Sequence, residues 1–297
     1  MTTVHHPLTK KDREAMMEIR KTATLRKGAL ERTAFDQRAE QLTPAAPEIR
    51  CEEEEVGGVA GWWCRPDKTD RTSAILYLHG GGYRVGSARA FRNFVSQIAK
   101  RADISCFVPD YRLAPENSFP AAVEDCRAAY LGLTSRGFRD IVTVGDSAGG
   151  GLILILLNSV VPKPKASVAL SPWTDLAITG ETMVSRASED YILSRESLAE
   201  AANQYLASHN ARDPLASPLY GDLAGLPPVS IHVGEDEILL DDARRYVDKF
   251  SRAGGDIELH IWEGMTHVFQ RNVEVLAAAE ASLVEIGAFI RKRIGSV

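Results

Sequence analysis

Four cysteines in 297 residues are too few for a disulfide framework, and Cys51, Cys64, Cys106 and Cys126 show no metal-type spacing. Three of them fall in strand-like or helix-like runs, so buried free thiols are expected. No apolar run approaches the ~18 residues of a membrane span. The N-terminal stretch MTTVHHPLTKKDREAMM lacks the apolar core of a secretory signal, so the expected location is cytoplasmic. Basic clusters interleaved with aromatics are missing too. With 35 Lys and Arg against 40 Asp and Glu, a net charge of -5 and a pI of about 5.9, neither nucleic acid nor an anionic membrane is an expected partner. Internal repeats and low-complexity tracts are absent. What remains is 44% hydrophobic and 25% charged residues, the balance of a chain that folds around a substantial core. Single α/β units commonly reach ~200–250 residues, so one such unit with additions accounts for the length.

Strand-like and helix-like runs alternate along most of the chain. EIRCEEEEVGGVAGWWCRP reads as two strands joined at Gly57-Gly58, a hairpin signal. SAILYLHG, ISCFVPDYR, DIVTVGD, ASVALSPW, PPVSIHVG and DIELHIWEG are further strands. Helices are predicted for ARAFRNFVSQIAKRA, SFPAAVEDCRAAYLGLTSRG, SAGGGLILILLNSV, LLDDARRYVDKFSRAG and residues 273–293. In the second of these, Pro120 near the start and Gly137 beyond the end follow the usual asymmetry. Near-continuous apolar strands alternating with helices predict a mostly parallel sheet covered on both faces.

Two stretches depart from this alternation. Residues 9–43 are polar and helical in composition, with Met16, Ile19 and Ala23 at helical spacing. Residues 175–220 hold no strong strand, and SRESLAEAANQYLAS reads as a helix capped near Ser194. An insertion this long between core strands is usually a lid or binding wall. The expected division is a catalytic unit of residues 46–174 and 221–297 under a helical cap of residues 1–45 and 175–220. A mere packing elaboration is the alternative. The cap would lie above the carboxyl ends of the strands, where open α/β sheets bind ligands.

VTVGDSAGGGL poses a local question: why does a buried strand end on Ser147 among such small neighbours? Gly145-Asp146-Ser147-Ala148-Gly149 fits G-x-S-x-G between a predicted strand and a predicted helix, the setting of a nucleophile on a strained turn. That turn projects the hydroxyl outward and aims the Ala148 N–H at the same point, beside a helix N-terminus. By itself the match is also compatible with an ordinary glycine-rich turn. LYLHGGGYRVGS adds His79-Gly80-Gly81-Gly82 after an earlier strand. Its glycines let backbone N–H groups face a developing oxyanion, and one such donor is worth roughly 3–4 kcal/mol of transition-state stabilisation. A phosphate-binding loop would need a Lys-Ser/Thr ending or G-x-G-x-x-G spacing, and neither is there.

A general base must follow Ser147, with an acid between them in chain order. His5 and His6 lie in an N-terminal tail, His79 in the glycine loop, and His209 in the cap insertion. His232 and His260 are strand residues expected to pack or bond locally. His267, in the loop WEGMTHVFQ after the last strand, is the candidate base. HVGEDEILLDDARRY offers Glu235, Asp236, Glu237, Asp241 and Asp242 as acids. Acids also favour a helix start for electrostatic reasons, so composition does not choose among them.

HGGGY, DYRLAPENSFPAA, GDSAGG, SPWTDL, GLPPVSIHVGEDEILLDDA and MTHVF, in this order over about residues 74–270, resemble the hormone-sensitive-lipase family of α/β-hydrolases, the bacterial family IV esterases. The resemblance implies an α/β-hydrolase fold with an eight-stranded, mostly parallel sheet and a helical cap. It implies hydrolysis of short-to-medium acyl carboxylesters by a Ser-acid-His triad, without metal or organic cofactor. Ser147 and His267 carry over to that triad, and Gly81, Gly82 and Ala148 to the oxyanion hole. The acid departs from the family pattern D-P-L-x-D-E, for here the run is EILLDD. Aligning Asp241, Asp242 and Tyr246 puts Glu237, rather than Asp236, at the catalytic position. Asp146, Asp110, Arg112 and Glu116 are expected to order loops, and Tyr83, Tyr191 and Leu193 to line the substrate pocket. The expected partner is a small ester, with a monoterpene-type ε-lactone as the alternative on the same machinery. A non-catalytic receptor is disfavoured because Ser147, an acid and His267 are all present. A homodimer through the strand DIELHIWEG is a further expectation from the resemblance.

Overall fold

The computed structural model describes residues 1–22, 31–67 and 72–295. In chain order its elements are β1 (Thr2–His6), α1 (Lys10–Thr22), α2 (Arg32–Leu42), β2 (Arg50–Val56), β3 (Val59–Arg65), β4 (Ser73–Leu78), α3 (Ala88–Ala102), β5 (Cys106–Pro109) and α4 (Ala121–Ser135). Then follow β6 (Asp140–Asp146), α5 (Ala148–Ser159), β7 (Ala166–Leu170), α6 (Thr182–Ser185), α7 (Arg195–Leu206), β8 (Val229–Gly234), α8 (Leu240–Arg252), β9 (Ile257–Trp262) and α9 (Ala277–Ile294). The strands form one sheet in the order β1-β9-β8-β7-β6-β4-β5-β3-β2. β2, β3 and β5 pair antiparallel, and every other neighbour pair is parallel. This is an α/β-hydrolase fold.

The parallel strands β4, β6, β7 and β8 are buried along their length, apart from half-buried Asp140 at the start of β6. Their two faces feed different apolar layers. One joins Leu76, Leu78 and Ile231 to α4, α5 and α8; the other joins Ile75, Val142 and Val168 to α3 and α9. Strands covered on both faces need apolar residues at every position, which is why these runs do not alternate.

The sheet has nine strands where eight were expected, and the difference lies at the N-terminus. Thr2–His6, expected in the cap, is a strand parallel to β9, with Val4 opposite His260 and His6 opposite Trp262. A mostly exposed edge strand satisfies its backbone on one side and needs no apolar alternation, so this segment carries little sequence signal. Its β-branched Thr2, Thr3 and Val4 were the available hint. In consequence β9, the DIELHIWEG strand, is not a free edge: β1 covers it. The helical reading of residues 9–43 resolves into α1 and α2; Ala23 lies outside the described residues. In the insertion 175–220 the described structure is α6, α7, a 3-10 turn at Pro218–Tyr220 and irregular turns. Ser194 caps α7 in a reciprocal box with Ser197. All four cysteines are free thiols. None of the helices among the described residues is long and apolar enough to cross a membrane.

Candidate active site

β6 and β4 are neighbours, with Leu78 in register with Gly145. The glycine loop after β4 and the serine after β6 therefore emerge side by side at the carboxyl edge of the sheet, the position at which such sheets bind ligands. Ser147 joins β6 to α5 with φ 54° and ψ −118°, a conformation that costs a non-glycine residue about 1–3 kcal/mol. Three backbone hydrogen bonds hold it: Ser147 N–H donates to Leu170 O (2.9 Å), Trp173 N–H to Ser147 O (3.0 Å) and Gly151 N–H to Ser147 O (3.1 Å). The small neighbours are a steric requirement. A Cβ on Gly145 would sit 2.5 Å from Gly149 O, and one on Gly149 would sit 2.0 Å from Leu78 O.

The loop after β4 is equally constrained. Gly81 has φ 126° and Gly82 φ 61°, and a Cβ on Gly81 would lie 2.0 Å from Val85 O. Asp146 ties this loop to the serine turn. Its Oδ1 accepts the Tyr77 hydroxyl at 2.5 Å and the Gly80 N–H at 2.9 Å. Burial raises the Asp146 carboxyl above its ordinary range, against the opposing pull of these donors. His79 lies 2.8 Å from Gly80 O through Nδ1; since a carbonyl only accepts, Nδ1 carries the proton. Its ring is stacked on Tyr111 at 4.3 Å, and burial lowers its pKa to about 4. A neutral, fully enclosed imidazole of this kind positions a loop. Asp110 accepts the Ala88 N–H at 2.6 Å, Arg112 forks onto Asp125, and Glu116 holds Arg32.

His267 follows β9, and its Nδ1 lies 2.7 Å from Glu237 Oε2. The other Glu237 oxygen accepts the Gly234 N–H at 2.9 Å, so the carboxylate is held at both ends. Burial by itself would depress the imidazole; the hydrogen bond and charge of Glu237 outweigh it and raise the His267 pKa. The other acids near β8 are engaged elsewhere. Asp236 binds Arg20 at 2.7 Å, and Glu235 lies 3.7 Å from Arg186. Asp241 accepts the Thr182 N–H at 3.1 Å. Asp242, pushed up to about 7 by burial, accepts the Thr174 and Asp175 N–H groups at 2.8 and 2.9 Å. Of the five acids in that run, Glu237 is the one that meets His267.

Ser147 and His267 line one cavity of about 660 Å³, together with Gly80, Gly81 and Gly82. Ile19 and Thr22 of α1, Phe35 and Leu42 of α2, and Leu198 and Ala201 of α7 complete its wall. The N-terminal helices and the insertion thus close over the same space. Tyr191 and Leu193 also line it, but Tyr83 does not. Its ring is fully buried and stacks parallel on Tyr205, 3.8 Å between centroids. Ser171 and Arg271 are among the residues around the site that the sequence did not single out. Ser171, φ 46°, accepts the Val268 N–H at 3.1 Å, joining the turn after β7 to the histidine loop. Arg271, also on the cavity wall, lies 4.7 Å over the Phe91 ring. The quoted run SPWTDL already contained the first of these; nothing local marked the second.

Residues 75–271 match the family described as the alpha/beta hydrolase fold. The chain is 39% identical over 246 residues to an acetyl-hydrolase of Streptomyces hygroscopicus, covering 81% of this chain and 82% of that protein. A crystal structure of an esterase from the bacterial hormone-sensitive lipase family superposes with a TM-score of 0.90 at 39% identity, over 97% of this chain and 100% of that one. The crystal structure of EstE5 soaked with p-nitrophenyl butyrate gives a TM-score of 0.90 at 35% identity, with the same coverage.

Proposed function

This chain belongs to the alpha/beta hydrolase family, as a carboxylic ester hydrolase of the hormone-sensitive-lipase type, and from that premise we propose that it cleaves short-to-medium acyl esters through an acyl-serine on Ser147. The observation that carries this reading is the 2.7 Å contact of His267 Nδ1 with buried Glu237, in the cavity that Ser147 also lines.

With Nδ1–H donated to Glu237, Nε2 of His267 is the nitrogen free to act as base. It takes the Ser147 proton as Oγ attacks the ester carbonyl. The carbonyl oxygen becomes an oxyanion facing the N–H groups of Gly81, Gly82 and Ala148, with the N-terminus of α5 behind the last of these. His267 then gives its proton to the departing alcohol, and water activated by the same imidazole releases the acid. Glu237 holds the tautomer and stabilises the imidazolium. We read α1, α2 and residues 175–220 as the cap. It excludes water and sizes the acyl site through Tyr191, Leu193 and Leu198.

The test is a p-nitrophenyl ester series from acetate to palmitate, wild type beside Ser147→Ala. Turnover concentrated on short and medium chains, falling about 10⁶-fold in the variant, is the expected result. Equal turnover by the two proteins would overturn the assignment of Ser147.

A further inference from the structure

Where β1 meets β9, beside α9, three side chains from three elements converge. His6 ends β1, His260 lies on β9 and Glu285 on α9. His6 Nε2 is 3.0 Å from His260 Nδ1, His260 Nδ1 is 3.0 Å from Glu285 Oε2, and His6 Nε2 is 3.6 Å from the same oxygen. We propose that these three groups form a binding site for a divalent transition ion of the zinc class, distinct from the ester-hydrolysing site. The bound ion fastens β1, and the cap helix that follows it, to the body of the sheet.

The geometry fits such an ion. Tetrahedral zinc with bonds of about 2.0–2.1 Å keeps its ligands about 3.3 Å apart, so a triangle of this size leaves the ion on one side and a fourth position for water. The donor set fits as well: two imidazole nitrogens and a carboxylate oxygen face one another, and each offers a lone pair to an ion once the facing nitrogens are unprotonated. The surroundings support the ligands. His6 stacks on Trp262 at 3.6 Å and 4°, and His260 stacks on His232 at 4.3 Å and 3°. Behind His260, Nε2 lies 3.4 Å from Glu258 Oε1, a carboxylate placed to favour the proton on Nε2 and so leave Nδ1 for an ion. The side chains of His6 and Glu285 are 15% and 40% exposed, so an ion reaches them from solvent.

The consequence concerns the cap. α1 begins at Lys10, four residues beyond His6; its Ile19 and Thr22 line the substrate cavity and its Arg20 holds Asp236. Apart from that ion pair, α1 is docked through Met16 in a small apolar cluster with Trp262, Met265 and Phe269 and through Asp12, whose Oδ1 accepts the Ala277 N–H. An ion at the end of β1 adds a further attachment at the base of that helix.

The full chain, free of any affinity tag and stripped with EDTA, is titrated with Zn²⁺ by calorimetry and with Co²⁺ by visible absorption. One equivalent binds, Co²⁺ gives the intense bands of a tetrahedral site, and amide exchange over residues 2–22 slows on adding Zn²⁺. His6→Ala and Glu285→Gln each weaken binding by more than the roughly 10–100-fold that loss of a supporting group costs, and Glu258→Gln weakens it by roughly 10-fold. Unchanged far-UV circular dichroism establishes that these variants fold. Absence of saturable binding in the wild type, or equal affinity in His6→Ala and Glu285→Gln, overturns the site. Binding without slower exchange over residues 2–22 overturns the fastening role. None of these readouts depends on ester turnover.

Discussion

The serine turn and the cap bound the same cavity but are held together by different physics. Around Ser147 the constraints are backbone against backbone. The glycines at 145 and 149 stand where a methyl group would meet carbonyl oxygens at 2.0–2.9 Å, and the strained serine is pinned by three main-chain hydrogen bonds. The helices we read as the cap are attached by side chains, through buried apolar contacts of Met16, Leu198 and Tyr205 and through polar groups nearer the surface. Arg20 meets Asp236, Arg32 meets Glu116 and the Arg84 and Ala114 carbonyls, and Ser87 meets Asp36. A position set by main-chain sterics admits one geometry or none, whereas one set by exposed ion pairs is adjustable at a cost of about 0–1 kcal/mol for each pair. On the proposed mechanism, the chemistry that needs sub-ångström placement would sit on the first kind of support, and selection of the acyl group on the second.

This contrast can be broken by substitution, and the sharpest blow falls on Glu237. Replacing it with Gln keeps the shape but removes the charge, and kcat should fall about 10⁴-fold. The pH profile carries the sign. The wild-type base is neutral only above a His267 pKa raised past the ordinary 6.5, so kcat/KM climbs through a limb above that value. Without the Glu237 anion the residual activity should climb at lower pH. Asp236→Asn in the same assay should stay within about threefold of wild type, since it loses one partly exposed ion pair. Comparable losses in the two variants would undo the assignment of the acid.

Gly149→Ala comes next in size. The added methyl meets Leu78 O at 2.0 Å, and the protein should lose about 4 kcal/mol or fail to fold, read by urea unfolding. Retention of stability would mean that the turn yields more readily than its contacts imply. On the cap side the effects should be graded. Leu193→Trp fills part of the cavity and should move the preferred p-nitrophenyl ester to a shorter acyl chain, about 10-fold in relative kcat/KM, a change of about 1.4 kcal/mol. Arg20→Ala should be the mildest. It should cost at most about 1 kcal/mol of stability and raise KM a few-fold with kcat nearly unchanged. A collapse of kcat in Arg20→Ala would show that the cap, too, sets the reacting geometry.

Much of this arrangement was readable residue by residue. The runs around Gly57-Gly58, Ala88–Ala102 and Asp140–Asp146 became the elements expected of them, because strong apolar periodicity and glycine punctuation act within a few residues. G-x-S-x-G and H-G-G-G are likewise local, for their glycines answer to strand–turn–helix sterics. Thr2–His6 was not legible, since an edge strand borrows its hydrogen bonds from a partner more than 250 residues away. Nor was the burial of Tyr83, which follows from the approach of Tyr205.

Local pattern and backbone sterics were enough for the alternating α/β organisation and the small residues beside Ser147, and the family resemblance added the hydrolase fold, the order of serine, acid and histidine, and Glu237 as the acid. What keeps the other four carboxylates away from His267 is visible only in three dimensions. Arg20, Arg186, Thr182 and the turn at Thr174-Asp175 engage them from distant parts of the chain. Glu237 is fully buried, with Gly234 N–H and His267 among its partners. Charge partners separated by tens to hundreds of residues leave no mark on the local sequence, and the same reason hid the meeting of His6, His260 and Glu285.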